Sequence, residues 1–197
     1  MPFELSTEHE AIREAVREFA DAEIKPVARE HDETREYPER LRRAAADLDL
    51  VAPHVPIEYG GAGMDALARC LVTEELWRAD PGIGSAISSA GFGTSMLLAY
   101  GDERMKETWL PEIVAGDAVS CSCISEPAHG SNVAGMETVA ERDGDEYVIS
   151  GNKMWITNGT VADVAVVMAK TDPGAEPPHR GITAFLVPTD REGFEPT

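Results

Sequence analysis

Two segments decide how this chain is read: Ser125-Glu126-Pro127-Ala128-His129-Gly130-Ser131-Asn132 and Lys153-Met154-Trp155-Ile156-Thr157. Pro127 fixes the chain after a strand, and Gly130 lets backbone come close to a ligand. Ser125 and Ser131 offer hydroxyls, and loop amides of this kind meet phosphate or carbonyl oxygens. Residues 153–157 read as a strand, which puts Trp155 and Thr157, two apart, on one face. An indole beside a hydroxyl can wall an aromatic ring and hydrogen-bond its edge. Taken singly, the first segment reads as an ordinary turn and Trp155 as a core indole. Taken together, they suit a flat aromatic cofactor with a polar edge and a phosphate tail.

Around these segments the apolar period is that of strands. Residues 119–125 read as one, with Cys121 and Cys123 on a shared face. Asp143-Gly144 signals a hairpin between residues 138–142 and 146–150. Residues 162–170 and 181–187 are further strands, separated by a loop with Pro173, Pro177 and Pro178.

Upstream the period is helical. Thr7-x-x-Glu10 reads as a capping box before Ile12, Val16 and Phe19. Pro26 should kink or end that helix. Pro38 suits the first residue of a second, carrying Leu41 and Leu48. Residues 51–64 are a Pro/Gly-rich connection. Asp65 caps a third helix with Leu67, Leu71 and Trp77. Asp80-Pro81 opens a fourth that reaches Met96, Leu97 and Leu98, and Asp102 a fifth that ends near Gly116. The expected class is α+β: an all-α domain over residues 1–117, then a β-rich domain over 118–197.

The formal net charge is −19, from 36 acids against 17 Lys and Arg. The acids are spread over both halves, and only Lys25, Lys106, Lys153 and Lys170 are lysines. Such a surface repels phosphates, which excludes nucleic acid and anionic membrane as partners. It fits a protein adapted to high salt, where screening removes the self-repulsion. Cys70, Cys121 and Cys123 form no C-x-x-C, which argues against a disulfide framework or a zinc site. The start, Met1-Pro2-Phe3-Glu4-Leu5, has no basic or apolar run of a leader. No stretch is long and apolar enough to span a bilayer. A cytoplasmic setting is expected.

Three motif-like strings lack their context. Gly61-Ala62-Gly63-Met64-Asp65-Ala66 fits a dinucleotide fingerprint, but Pro53 and Pro56 spoil the strand it needs. His9-Glu10 is followed by Arg13, so no zinc pair forms. Ser131 lacks a nucleophile-elbow frame, and His129 sits too near along the loop to be its base.

The two segments, with Gly151-Asn152-Lys153-Met154-Trp155-Ile156-Thr157-Asn158-Gly159, Ile57-Glu58-Tyr59-Gly60-Gly61-Ala62-Gly63, Tyr100-Gly101-Asp102-Glu103 and Leu110-Pro111-Glu112-Ile113-Val114-Ala115-Gly116, resemble the acyl-CoA dehydrogenase family along essentially the whole chain. The resemblance implies a helical N-terminal domain, a β-barrel-like middle domain and a C-terminal helical bundle. It implies FAD as cofactor and α,β-dehydrogenation of an acyl-CoA thioester, as in β-oxidation of fatty acids. Ser122, Cys123, Ile124, Ser125, Gly130 and Ser131 would line the FAD and thioester site. Ser125 would hydrogen-bond the flavin's pyrimidine side, and Ser131 would also contact the CoA ligand. Trp155 would pack beside the isoalloxazine with Ile156 next to it, and the Thr157 hydroxyl would approach N5. Electron-transfer flavoprotein and a homotetramer are the implied partners. Acyl-CoA oxidases and related flavin monooxygenases share this half, and a non-catalytic acyl-CoA-binding or assembly subunit is a further alternative.

The sequence departs from the family at Asn132, where Asp is usual, and at His129, a variant expected on the surface. Gly84 falls near the Arg of glutaryl-type members, which disfavours a dicarboxyl substrate. The C-terminal bundle and its catalytic Glu have no counterpart here, so no catalytic residue is assigned. Glu126 belongs to the loop motif and is a poor base, and the chain alone is expected to be inactive. The charge pattern predicts that dialysis from molar salt into dilute buffer lowers the melting temperature and erodes the folded circular-dichroism signal. An unchanged, sharp melt in dilute buffer contradicts the salt-adapted reading.

Overall fold

The computed structural model describes residues 4–197. Met1, Pro2 and Phe3, on which the reading of the start partly rests, lie outside the described residues. The chain forms two compact units, one ending at Ala118 and one spanning Val119–Thr197.

Seven α-helices among the described residues build the first unit: α1 (Thr7–Phe19), α2 (Ala28–Thr34), α3 (Glu39–Ala46), α4 (Ala66–Ala79), α5 (Pro81–Ser89), α6 (Thr94–Tyr100) and α7 (Glu103–Val114). The α1 cap lies one residue earlier than the sequence pattern suggested. Ser6 accepts from the His9 amide and Thr7 is already helical, so the expected Thr7 and Glu10 box does not form. Past Phe19 the helix widens into a π turn, Ala20–Ile24, and ends just before Pro26, which has no amide hydrogen to continue it. Helix α2 carries no buried residue, which is why no apolar period announced it. Pro38 precedes α3 as its cap and is not its first residue. Asp65, Asp80 and Asp102 each accept an amide three residues on, at 2.7–2.8 Å, the capping geometry that satisfies an orphan donor.

Three other expectations fail at the surface. Leu48 is 51% exposed, and Leu67 and Trp77 are also exposed. Met96–Leu98 lie on their own helix, α6, because Gly93 takes a φ of +97° that ends the α5 path. The core uses Val16, Leu41 and Leu71 of the expected positions, with Leu76, Ile87, Leu110 and Ile113, each worth about 1.5–3 kcal/mol when fully buried. Helix α4 packs on both α1 and α5. Gly84 makes the second contact close, since a Cβ there would lie 2.9 Å from the Leu76 backbone.

A charged network joins α1, the π turn and α4. Glu75 is 2% exposed and accepts from Arg17 Nε at 3.0 Å and Arg78 Nε at 2.6 Å. Arg78 reaches on to Asp21, which also pairs with Lys25. Arg17 holds the Glu75 carboxyl below its ordinary range against the opposing effect of burial, with Arg78 adding to it. Arg42, also buried, pairs with Glu39 and donates to the Gly116 carbonyl at 2.7 Å, tying α3 to the end of α7.

The second unit is a five-stranded mixed sheet: β1 (Ser120–Cys123), β2 (Val139–Asp143), β3 (Glu146–Ser150), β4 (Val164–Lys170) and β5 (Ile182–Pro188). Strand β4 is almost continuously apolar and buried, as a central strand must be. β1 pairs parallel to its first half, β2 meets its last residue, and β5 runs antiparallel along its other side. Gly144 takes the positive φ of the tight β2–β3 turn. Tyr147 of β3 meets Phe185 of β5 edge to face, with ring centroids 5.2 Å apart. Strands with two others between them in a flat sheet cannot touch in this way, so the sheet curls like part of a barrel. Cys121, Cys123, Ala165 and Val167 form its core, with Ile149, Ile156, Val187 and Phe194 packed on it.

Removing the buried carboxylate in Glu75→Ala takes that partner from Arg17 and leaves Arg78 with Asp21, and because both guanidinium groups stay partly exposed it should cost roughly 1.5–3 kcal/mol. Arg29→Ala, which loses only an exposed pair with Glu33, should cost less than about 0.5 kcal/mol. Urea unfolding of the two variants measures the contrast.

Candidate functional site

The two loop segments singled out in the sequence lie side by side. Residues 153–158 run antiparallel along the open side of β1. Met154 donates its amide to the Ser125 carbonyl at 2.9 Å, and Asn158 Nδ2 reaches the Ser120 carbonyl at 3.4 Å. They are not a strand, contrary to the expectation, because Trp155 has a φ of +60°. That left-handed conformation costs a bulky L-residue about 1–2 kcal/mol. It breaks the alternation on which the shared face of Trp155 and Thr157 was argued. The indole stands 88% exposed, so it is no core Trp. Ile156, the next residue, packs instead against the sheet core.

One buried group ties the segments together. Glu126 accepts the Glu137 amide on one carboxylate oxygen and the Thr138 amide, at 3.0 Å, on the other. The second oxygen also accepts from Lys153 Nζ at 2.9 Å, and that ammonium donates to the Ile124 carbonyl at 3.3 Å. Burial alone would raise the Glu126 pKa. The Glu137 amide leads the donors that outweigh burial and hold the pKa at about 2. A carboxylate so fully used is a weak proton acceptor. Its ordinary neighbours along the chain gave no hint of this part; the signal was the pairing of the Glu in one motif with the Lys in the other.

The expected site residues divide by what they can offer. Ser125, Ser131 and Thr157 have hydroxyls that no hydrogen bond uses among the described residues. A Cβ on Gly130 would meet nothing within 4 Å, so the backbone there faces open space. Ser122 and Ile124 are half-buried at and just beyond the end of β1. Cys123 points into the core, its sulfur 3.8 Å from that of Cys121, and leaves only its backbone for a ligand. Glu126 and His129 exchange backbone hydrogen bonds at 2.9 and 3.1 Å, closing the turn that carries Gly130 and Ser131 onward. His129 is not a surface residue as expected. Its ring packs over Gly135, where an added Cβ would lie 2.7 Å from Nδ1.

Elsewhere, His9 is held by Ser6 and Asp65. Gly61 is a packing glycine, since a Cβ would strike the Val55 carbonyl. Both are accounted for without a ligand. The helical unit has a cleft of about 140 Å³ lined by His54, Arg69, Thr73, Ser88 and Phe92, too small for a drug-sized ligand. His54 there is held below its usual pKa by burial and by Arg69. Nothing in the sequence pointed to it.

Residues 6–117 match the family model of the acyl-CoA dehydrogenase N-terminal domain, and residues 121–197 match that of the middle domain. The chain belongs to the acyl-CoA dehydrogenase family. It is 41% identical over 194 residues to a probable acyl-CoA dehydrogenase, fadE25, of Mycobacterium bovis, covering 98% of this chain and 49% of that one. It is 38% identical to the mitochondrial isovaleryl-CoA dehydrogenase of Pongo abelii, covering 96% and 46%. A crystal structure of a glutaryl-CoA dehydrogenase from Mycobacterium smegmatis in complex with FADH2 superposes with a TM-score of 0.88 at 39% identity, covering 96% and 47%. The chain thus spans about half the length of the curated relatives it matches. Among the described residues, no helix is long and apolar enough to cross a membrane.

Because the Glu126 pKa is depressed from an ordinary 4.5 to about 2, its stabilisation is complete above the unfolded-state value. It is lost as pH falls through that window. The stability gap between the wild-type chain and Glu126→Gln should therefore be widest at pH 5–7 and close toward pH 2. Denaturant melts at stepped pH test this, and a gap independent of pH contradicts it.

Proposed function

We propose that this chain serves the FAD-dependent α,β-dehydrogenation of an acyl-CoA thioester. Residues 1–117 act as its helical N-terminal domain, and residues 118–197 as a middle domain that binds the flavin edge. The observation that carries the reading is an exposed Trp155, fixed in a costly backbone conformation, beside the unused hydroxyls of Ser125 and Thr157. Strain of this kind persists where surrounding structure imposes it, and it concentrates at ligand sites. A flat aromatic group with a polar edge is the ligand that such an indole and such hydroxyls accept.

FAD, when bound, supplies the two-electron acceptor that the dehydrogenation needs. The chain's own part is to bind and orient. Trp155 offers a face to the ring system, and the Thr157 and Ser125 hydroxyls offer hydrogen bonds to its polar edge. Ser131 and the open backbone at Gly130 serve the CoA thioester. Ser122, Cys123 and Ile124 contribute through their backbone, and Ile156 by anchoring Trp155. The base that removes the α-proton is not assigned within these residues. Gly84 supports an acyl group without a second carboxylate, because the close α4–α5 contact leaves no room for a cation at that position.

Electron-transfer flavoprotein as the electron acceptor, a homo-oligomeric assembly and a salt-adapted cytoplasmic setting complete the reading. They rest on the family and on the even acidic charge.

Titration of the chain with FAD, followed by flavin absorbance and fluorescence, tests the proposal, with acyl-CoA and a dye acceptor then added to the full-length context. Saturable binding with a perturbed flavin spectrum is expected. Trp155→Ala and Thr157→Ala should each weaken it by roughly tenfold, about 1.4 kcal/mol. Absence of any spectral change, or two variants that bind as the parent does, would refute the assignments.

A further inference from the structure

We infer that Glu126 and Lys153 form one positioning pair, which sets the loop bearing Ser125 and Ser131 against the segment bearing Trp155 and Thr157. The inference rests on the flavin reading above and adds to it the residues that hold its groups in register.

The pair gathers three separate chain segments. Glu126 follows β1. Its carboxylate takes the amides of Glu137 and Thr138, the entry to β2. Lys153 follows β3 and binds back to both Glu126 and the Ile124 carbonyl. Both side chains are shielded, at 3% and 10% exposure, so solvent screens the attraction little. Neither is itself an expected ligand group, and of those groups the pair touches only the Ile124 carbonyl; each sits one or two residues from another, beside Ser125 or Trp155.

The geometry also accounts for the left-handed Trp155. On its N-terminal side, Lys153 is pinned by the ion pair and Met154 by the Ser125 carbonyl. On its C-terminal side, Ile156 is pinned in the sheet core. With both ends fixed, the one intervening residue absorbs the turn, and the indole is pushed outward. Released from Glu126, Lys153 loses its fixed place, and residue 155 is free to relax into an extended conformation that other L-residues favour.

The experiment uses the full chain with Trp77 and Trp109 changed to Phe, so that Trp155 is the sole tryptophan and is excited selectively on the red edge of the protein band. It compares Glu126→Gln, Lys153→Met, their double variant and Lys153→Arg. Amide hydrogen exchange at Met154, Trp155 anisotropy and FAD affinity are read on each. Glu126→Gln and Lys153→Met should each speed Met154 exchange and raise the FAD Kd by about tenfold. The double variant should be no worse than either single change, as for groups acting as a unit. Lys153→Arg, which keeps the charge, should recover most of the loss, which a purely volumetric role would not predict.

Should Glu126→Gln fail to fold, Lys153→Met keeps the carboxylate and its two amide donors and carries the test. Folded variants with parental Met154 exchange, Trp155 anisotropy and FAD affinity overturn the pair. A parent chain that binds no FAD overturns the flavin reading instead. The exchange and anisotropy data then decide the pair alone.

Discussion

The sheet unit is organised around a single buried carboxylate. Strands β1, β2 and β3 each leave a loose end near the same place, and Glu126 receives a donor from the β2 entry and from the residue that follows β3. An apolar side chain of equal size would fill the space and leave those donors unpaired, at about 1–3 kcal/mol each. The group therefore does more than stabilise. It decides which irregular segments lie against which, and the loops that carry the exposed hydroxyls and indole inherit their places from it.

The helical unit uses buried charge for a different end. Glu75, with Arg17 and Arg78, sits between regular helices whose positions α1–α4 packing already defines. There the charges fix register along a contact that apolar burial has made. In the sheet unit, no regular pairing joins residues 125–138 to residues 151–158, so the ion pair replaces a ladder. The same chemistry serves as adjustment in one unit and as framework in the other.

Much of this was legible beforehand, and the reasons are local. Asp65, Asp80 and Asp102 cap helices because a short carboxylate three residues before an amide is a signal contained in the sequence itself. The β2–β3 hairpin and the buried β4 followed from turn chemistry and apolar run length. Errors came where the deciding contact was distant. Leu48, Leu67 and Trp77 fit a helical period yet lie outside, because burial depends on which neighbours arrive. Residues 153–157 alternate like a strand, and only the fixed points on either side of Trp155 turn them aside. The hydroxyls and the indole of the proposed site could be named from the motifs. Their mutual placement could not, since it depends on Glu126 reaching Lys153 across 27 positions of chain.

The run of residues 153–158 beside β1 has one more consequence. A strand with an open side presents unpaired amides and carbonyls that another chain can extend. Here Met154 and Asn158 occupy that side at intervals, while the left-handed Trp155 prevents the covering segment from becoming an edge in its turn. The segment thus covers part of the β1 edge as well as offering an indole. On the flavin reading, a change at this segment therefore bears on the cover of the sheet edge and on ligand recognition together.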